Sequence, residues 1–212
     1  MSDPQTESNA KSASRDVSVP GVFNSLRRSA ACLVTAAVVI VSVVVLRTQG
    51  RRWWCACGNK FPWWDDVWSP HGCQHVFDPY SFTHVLHGVV LFGLLALIGA
   101  RLPLAWRLFI AVLLEAVWEV FENSSYVLST HRAGTAALGY VGDSILNSLG
   151  DIAACAFGFI LARRLGLRGS VLLFVVTEIV LLVWIRDSLL LIVVTSIFPS
   201  DAIKAWQVGQ GQ

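Results

Sequence analysis

The sequence predicts an all-α fold, a polytopic bundle of about five transmembrane helices carrying a Trp-rich loop on its outer side. Three observations lead there. Hydrophobic residues make up 55% of the 212-residue chain and charged residues only 14%, with a mean hydropathy of +0.61, too apolar for a soluble domain of this size. The apolar residues gather into runs that approach or exceed the roughly 20 residues a helix needs to cross a bilayer. The basic residues stand in short groups beside those runs rather than in one broad patch. The formal net charge of +2 therefore reports topology and argues against nucleic acid as a partner.

Residues 1–25 are rich in Ser, Asp, Pro, Gln and Asn without apolar periodicity and read as a disordered polar tail. Residues 26–207 form the membrane domain. Its first span, about 29–47, is too long for a signal-peptide core and ends without a small-x-small cleavage site, so it reads as an uncleaved anchor. Further spans are expected at about 82–100, 104–122, 144–162 and 170–197. Arg186 and Asp187 interrupt the last, which is either one tilted helix or a shorter span followed by an interfacial segment. The loop 48–81 holds Trp53, Trp54, Trp63, Trp64 and Trp68, five of the nine tryptophans. Trp favours the headgroup layer, so this loop is expected to lie on the outer face as a lid.

With the N-terminus cytoplasmic, nine Lys and Arg fall inside (Lys11, Arg15, Arg27, Arg28, Arg101, Arg107, Arg163, Arg164, Arg168) and six outside (Arg47, Arg51, Arg52, Lys60, Arg132, Lys204). That excess favours an N-in orientation. Alternating helix direction then gathers the ionisable residues at one depth. His84 and His87 start the second span, Glu115, Glu119, Glu122 and Asn123 end the third, and Asp143, Asn147 and Asp151 start the fourth. Reversing the whole protein moves every member together. Spacing adds a second constraint: Glu115, Glu119 and Glu122 follow i, i+4 and i+7, within an arc of roughly 60° on one helix face. Asp143, Asn147 and Asp151 share a face in the same way.

A carboxylate near the bilayer centre costs roughly 2.5–3.5 kcal/mol on insertion scales, so such residues face a bundle interior or a wet cavity. Two readings stay open. In the first, His84, His87, Glu119, Glu122 and Asp151 form a catalytic core that also suits a divalent metal, with Arg186, Asp143 and Asn147 binding a lipid or lipid-linked envelope substrate. In the second, the same groups hold the helices together in a non-enzymatic protein such as an assembly factor or small transporter subunit. Membrane lipids are the expected partners, and a carrier built from five spans without an inverted repeat would need a homo-oligomer. Ser81, Ser144 and Ser148 lack a nucleophile-elbow pattern and read as caps or packing residues. Asp143 stands where it can cap the fourth helix.

The loop cysteines allow two readings as well. In an oxidising compartment Cys73 pairs with Cys55 or Cys57. Alternatively these thiols join His71 or His75 in a metal knuckle, although a full CxxC pair is absent.

In order, CACG, QHVFDPYSFTHVLHG, EAVWEVFEN, YVGDSILNSLGD and WIRDSLLL with a terminal AIKAWQ resemble the bacterial inner-membrane proteins of uncharacterised protein family 0314, or domain of unknown function 2585. The likeness spans roughly residues 30–207. It implies a multi-pass inner-membrane protein and supplies no activity. The residues that match the family motifs are His75, Asp78, His84, His87, Glu115, Trp118, Glu119, Glu122, Asn123, Asp143, Asn147, Asp151, Arg186 and Asp187.

Overall fold

Apolar side chains cover much of the outside of this molecule, and its interior combines apolar core residues with a large share of buried polar ones. In the computed structural model, which describes residues 19–134 and 142–209, Leu97, Ile98 and Leu167 are more than 80% exposed, while Glu115, Glu119, Asn147 and Asp151 are buried. Exposed apolar faces of this extent fit a hydrocarbon solvent. The described residues form seven helices: α1 (Val19–Thr48), α2 (Ser81–Ile98), α3 (Leu104–Glu122), α4 (Ser125–Gly134), α5 (Ile145–Trp184), α6 (Leu189–Ile197) and α7 (Asp201–Val208). Three of them, α1 from Ser25, α2 and α5, are long and apolar enough to cross a membrane. The α3 helix has the length but carries Arg107 and three glutamates.

The α1 helix starts several residues before the expected span. The rest of the polar tail, residues 1–18, lies outside the described residues, as does the connection 135–141. The residues of the expected fourth span and the first part of the expected fifth lie in α5, which Gly166 interrupts with φ 66° and ψ −177°. That conformation is essentially reserved for glycine. The Ser170 hydroxyl donates to the Ala162 carbonyl at 3.3 Å, a reach of eight residues that a straight helix would separate by about 12 Å. The chain therefore folds back. Its far end returns to the start of α2, where Tyr80 donates to the Asp187 carboxylate at 3.2 Å. The α5 helix ends at Trp184; Arg186 takes φ 53°, and Ser188 caps α6 by accepting from the Leu191 N–H.

Small residues set the spacing of α2 against α5. A Cβ on Gly88 would collide with the Cys155 carbonyl oxygen and approach the Phe159 nitrogen to 2.6 Å, and one on Gly158 would collide with the Val85 carbonyl. This backbone approach brings His84 opposite the buried first turns of α5. The α1 and α3 helices run side by side in the same direction. Val38 and Val39 pack with Leu108, Val112 and Ala116, and the Gln49 amide donates to the Val120 carbonyl at 3.0 Å. The ends of α1 and α3, the starts of α2 and α5, and residues near 187 consequently share one end of the bundle.

Candidate functional site

The i, i+4, i+7 spacing on α3 does what helical geometry requires. Glu115 and Glu119 point into the bundle at 2% and 1% exposure, and Glu122 is half-buried one turn closer to the helix end. From α2, His84 meets them: its Nδ1 is paired with the Glu115 carboxylate and lies 3.4 Å from Glu119 Oε1. On the other side of the ring, Nε2 stands 3.9 Å from Asp151 Oδ2 of α5. His87, one turn along, also reaches Glu115, with Nδ1 at 3.1 Å from both oxygens. Three helices thus converge on one imidazole, and all five residues expected in the core come together.

Glu115 and Glu119 differ in how they are satisfied. Glu115 binds both histidines, so its charge is compensated inside the cluster. Neither oxygen of Glu119 has a hydrogen-bond partner, although both are shielded from solvent and His84 is within ion-pair range. A buried carboxylate in that state needs a cation or a proton. Two ligand groups could hold a metal here: His84, His87 and Glu115, or His84, Glu119 and Glu122.

The periphery is firmly tied. Asn123, capping α3, donates its amide to Asp143 Oδ2 at 2.7 Å and accepts the Asp143 N–H at 2.8 Å. Asp143 therefore links α3 to α5, and Ser144 caps α5 by accepting the Asn147 N–H at 3.0 Å, where the sequence suggested Asp143. Ser81 donates to Asp151 at 2.7 Å. In the loop before α2, Asp78 accepts from the Cys73 and Tyr80 N–H groups at 2.9 and 2.7 Å. Burial pushes the Asp78 carboxyl above its ordinary value despite those bonds. Burial also pushes the Cys73 thiol well up, and the carboxylates of Asp78, Asp143 and Asp151 add to it, so this thiol is a poor nucleophile.

A cavity of about 400 Å³ opens onto the cluster. His84, His87, Glu122, Asp143, Asn147 and Asp151 form its polar wall; Val67, Trp118, Ile192, Val193 and Ile197 form the apolar one. Glu115 and Glu119 stand behind the imidazole, off that wall. Arg186 does not reach the cavity. Its guanidinium donates to the Trp206 carbonyl at 2.6 Å and lies over the Trp206 ring, because the positive φ turns it toward α7. Its neighbour Asp187 lines the cavity instead. The expected Cys73 disulfide is not formed: all five cysteines are unpaired. Cys55 and Cys57 face His71 and His75 instead, while the Cys73 backbone is held on Asp78.

Residues 46–209 match the family model described as "Protein of unknown function (DUF2585)". The chain belongs to that family. Its similar relatives include a UPF0314 protein of Paracoccus denitrificans, 40% identical over 85% of this chain and 94% of the relative. Others are UPF0314 proteins of Rhizobium meliloti, 40% identical over 84% of this chain and 89% of the relative, and of Brucella anthropi, 36% identical over 84% and 90%. No solved structure matches. The DUF2585 match contains every residue of the cluster and the whole loop before α2.

Proposed function

We propose that this protein binds a divalent cation within the membrane, through His84, Glu119 and Glu122, and uses it to act on the headgroup of a lipid or lipid-linked substrate. The observation that carries this reading is the pair of unpartnered Glu119 oxygens beside His84. Glu115, bonded to both His84 and His87, then positions the two rings beside that site. The adjoining cavity, at about 400 Å³, is within the usual range for small-molecule sites. It is amphiphilic, as a headgroup with the start of an apolar chain requires. Glu122, Asp143, Asp151 and Asp187 border it beside Lys204, so a bound cation that offsets the remaining negative charge favours entry of an anionic headgroup. Asp151, held by Ser81, is the carboxylate placed to exchange a proton with such a ligand.

The proposed setting is a bacterial inner membrane crossed five times, with the N-terminus cytoplasmic and the cavity in the outer leaflet beneath the Trp-rich loop. The reversal at Gly166 supports two crossings within α5, and the α3 glutamates face inward rather than toward lipid. A reporter fused after residue 164 should be cytoplasmic; an external reporter would reject that orientation.

Elemental analysis of protein purified in detergent should find zinc, manganese or iron that Glu119→Gln and His84→Ala release. A folded wild-type protein that neither contains nor takes up any of them would overturn the metal. A packing role has its own support in the Asn123–Asp143 pair, which joins the end of α3 to the start of α5 beside the cavity. If Glu119→Gln and Asp151→Asn lower thermal stability but leave the lipid composition of the cell as in wild type, packing is the better account.

A further inference from the structure

The loop between α1 and α2 has almost no regular structure to hold it. Among its described residues there is one isolated bridge, Trp63 to Phe77, with the Trp64 N–H donating to the Phe77 carbonyl and the Phe77 N–H to the Pro62 carbonyl. Yet the loop brings three soft or borderline ligands together and sets a fourth, His71, beside one of them. Cys57 Sγ lies 3.5 Å from His75 Nε2, and Cys55 Sγ lies 3.4 Å from His71 Nδ1. Ligand atoms of Cys55, Cys57 and His75 all fall within 4.8 Å of one another. In a tetrahedral zinc site with bonds of about 2.0–2.3 Å, neighbouring ligands stand roughly 3.3–3.8 Å apart. The two thiol–imidazole pairs already have that separation.

The surroundings are those of a metal knuckle. The Cys57 N–H donates to Cys55 Sγ at 3.3 Å. His75 is fully buried, and its Nδ1 bonds the Phe61 carbonyl at 2.6 Å, which fixes the tautomer and leaves Nε2 directed at Cys57. Trp64 stacks on the His75 ring at 5.0 Å and meets His71 edge-on at 5.3 Å, and Trp54 meets His75 edge-on at 5.2 Å. The spacing from His71 to His75 fits the zinc pattern, while Cys-x-Cys is shorter than the usual pair by at least one residue.

We infer that Cys55, Cys57, His71 and His75 form a second, structural zinc site, separate from the intramembrane cluster, that staples the loop. The site joins the beginning of the loop to the segment leading into α2. Between these ligands the chain supplies Val67 and Trp68 to the cavity wall, so the staple fixes part of the proposed substrate site. Thiolate with imidazole selects a softer ion than the carboxylate-rich cluster does.

Full-length protein in detergent, stripped of metal and titrated with cobalt(II), should develop a thiolate-to-cobalt charge-transfer absorption that stoichiometric zinc abolishes. Cys55→Ser/Cys57→Ser should lose it, and Glu119→Gln should keep it. No band in wild type, or a band retained in the cysteine variant, would overturn the site. A readout on unmutated protein guards against misfolding of the variant: zinc should slow maleimide labelling of the exposed Cys57 at least tenfold, and a chelator should restore it. Equal labelling rates with and without zinc, or a disulfide at Cys55 or Cys57 in the protein as isolated, would also overturn it.

Discussion

The intramembrane cluster and the loop cluster place imidazoles beside acidic ligands in opposite ways. In the first, His84 meets Glu115 from 31 positions away, and Ser81 meets Asp151 from 70. Helix packing alone creates that proximity, and the donors are carboxylate and imidazole. In the second, Cys55 and His71 are 16 positions apart, Cys57 and His75 are 18 apart, and turns within one loop suffice. The donors there are thiol and imidazole. Geometry imposed by a rigid bundle can hold a buried carboxylate without a hydrogen bond, whereas the loop is held by contacts to the bundle, Val67 against Leu181 and Ile185 and the Ser144 N–H on the Cys73 carbonyl, to which the proposed zinc would add a staple within the loop. Histidine thus lines a cavity in one region and belongs to the proposed staple in the other.

The largest expected effect would break the first cluster from inside. Glu115→Gln removes the charge that both His84 and His87 engage, and breaking a buried pair costs about 3–5 kcal/mol. Glu119→Gln removes a charge that no hydrogen bond satisfies, and in metal-free protein should leave stability unchanged or raise it. Thermal unfolding of the two variants with metal removed should separate them clearly. Equal destabilisation would show that Glu119 serves packing as Glu115 does. Neither change should alter zinc binding by the loop.

The next effect is one of spacing. Gly88→Ala places a methyl group against the Cys155 carbonyl, and overpacking of this kind costs about 1–3 kcal/mol. Because Gly88 sits one turn beyond His84, pushing α2 off α5 should widen the gap between His84 and Asp151 and weaken metal retention there. The cobalt–thiolate absorption of the loop should persist, since none of its ligands lies on either helix. Loss of both signals together would mean that the clusters share one structural unit.

The difference also explains what could be read from the sequence. Helical periodicity is a strong regularity, so the shared face of Glu115, Glu119 and Glu122 and the alternation of helix directions put at one level residues that the structure brings near one another. Periodicity says nothing about which carboxylate bonds which ring, and so Glu115 was grouped with the polar stripe but left out of the metal ligands. The cap on α5 shows the same limit: Asp143 and Ser144 are both good capping residues, and only the reach of Asn123 from α3 assigns Asp143 elsewhere. Gly166 lies among Arg163, Arg164 and Arg168, a visible break between apolar runs, and the structure places the reversal there. In the loop no periodicity exists. Without a CxxC pair, Cys-x-Cys and two histidines were compatible with either a disulfide or a metal, and turn hydrogen bonds decided which groups face one another.

Arg186 supplies the smallest effect and the sharpest contrast between expectation and geometry. By charge and depth it was expected to neutralise an anion in the cavity. The structure instead spends its hydrogen bond on the Trp206 carbonyl and lays its guanidinium 5.6 Å from the centre of the Trp206 ring. An exposed contact of that kind is worth about 0.5–1 kcal/mol. Arg186→Gln should therefore speed hydrogen exchange across α7 while leaving metal content and cellular lipid composition as in wild type. Should it abolish a lipid phenotype without loosening α7, the guanidinium would have to leave Trp206 during function and turn into the cavity. The cavity would then have a guanidinium in addition to Lys204, and the dependence of an anionic headgroup on bound metal would weaken with it.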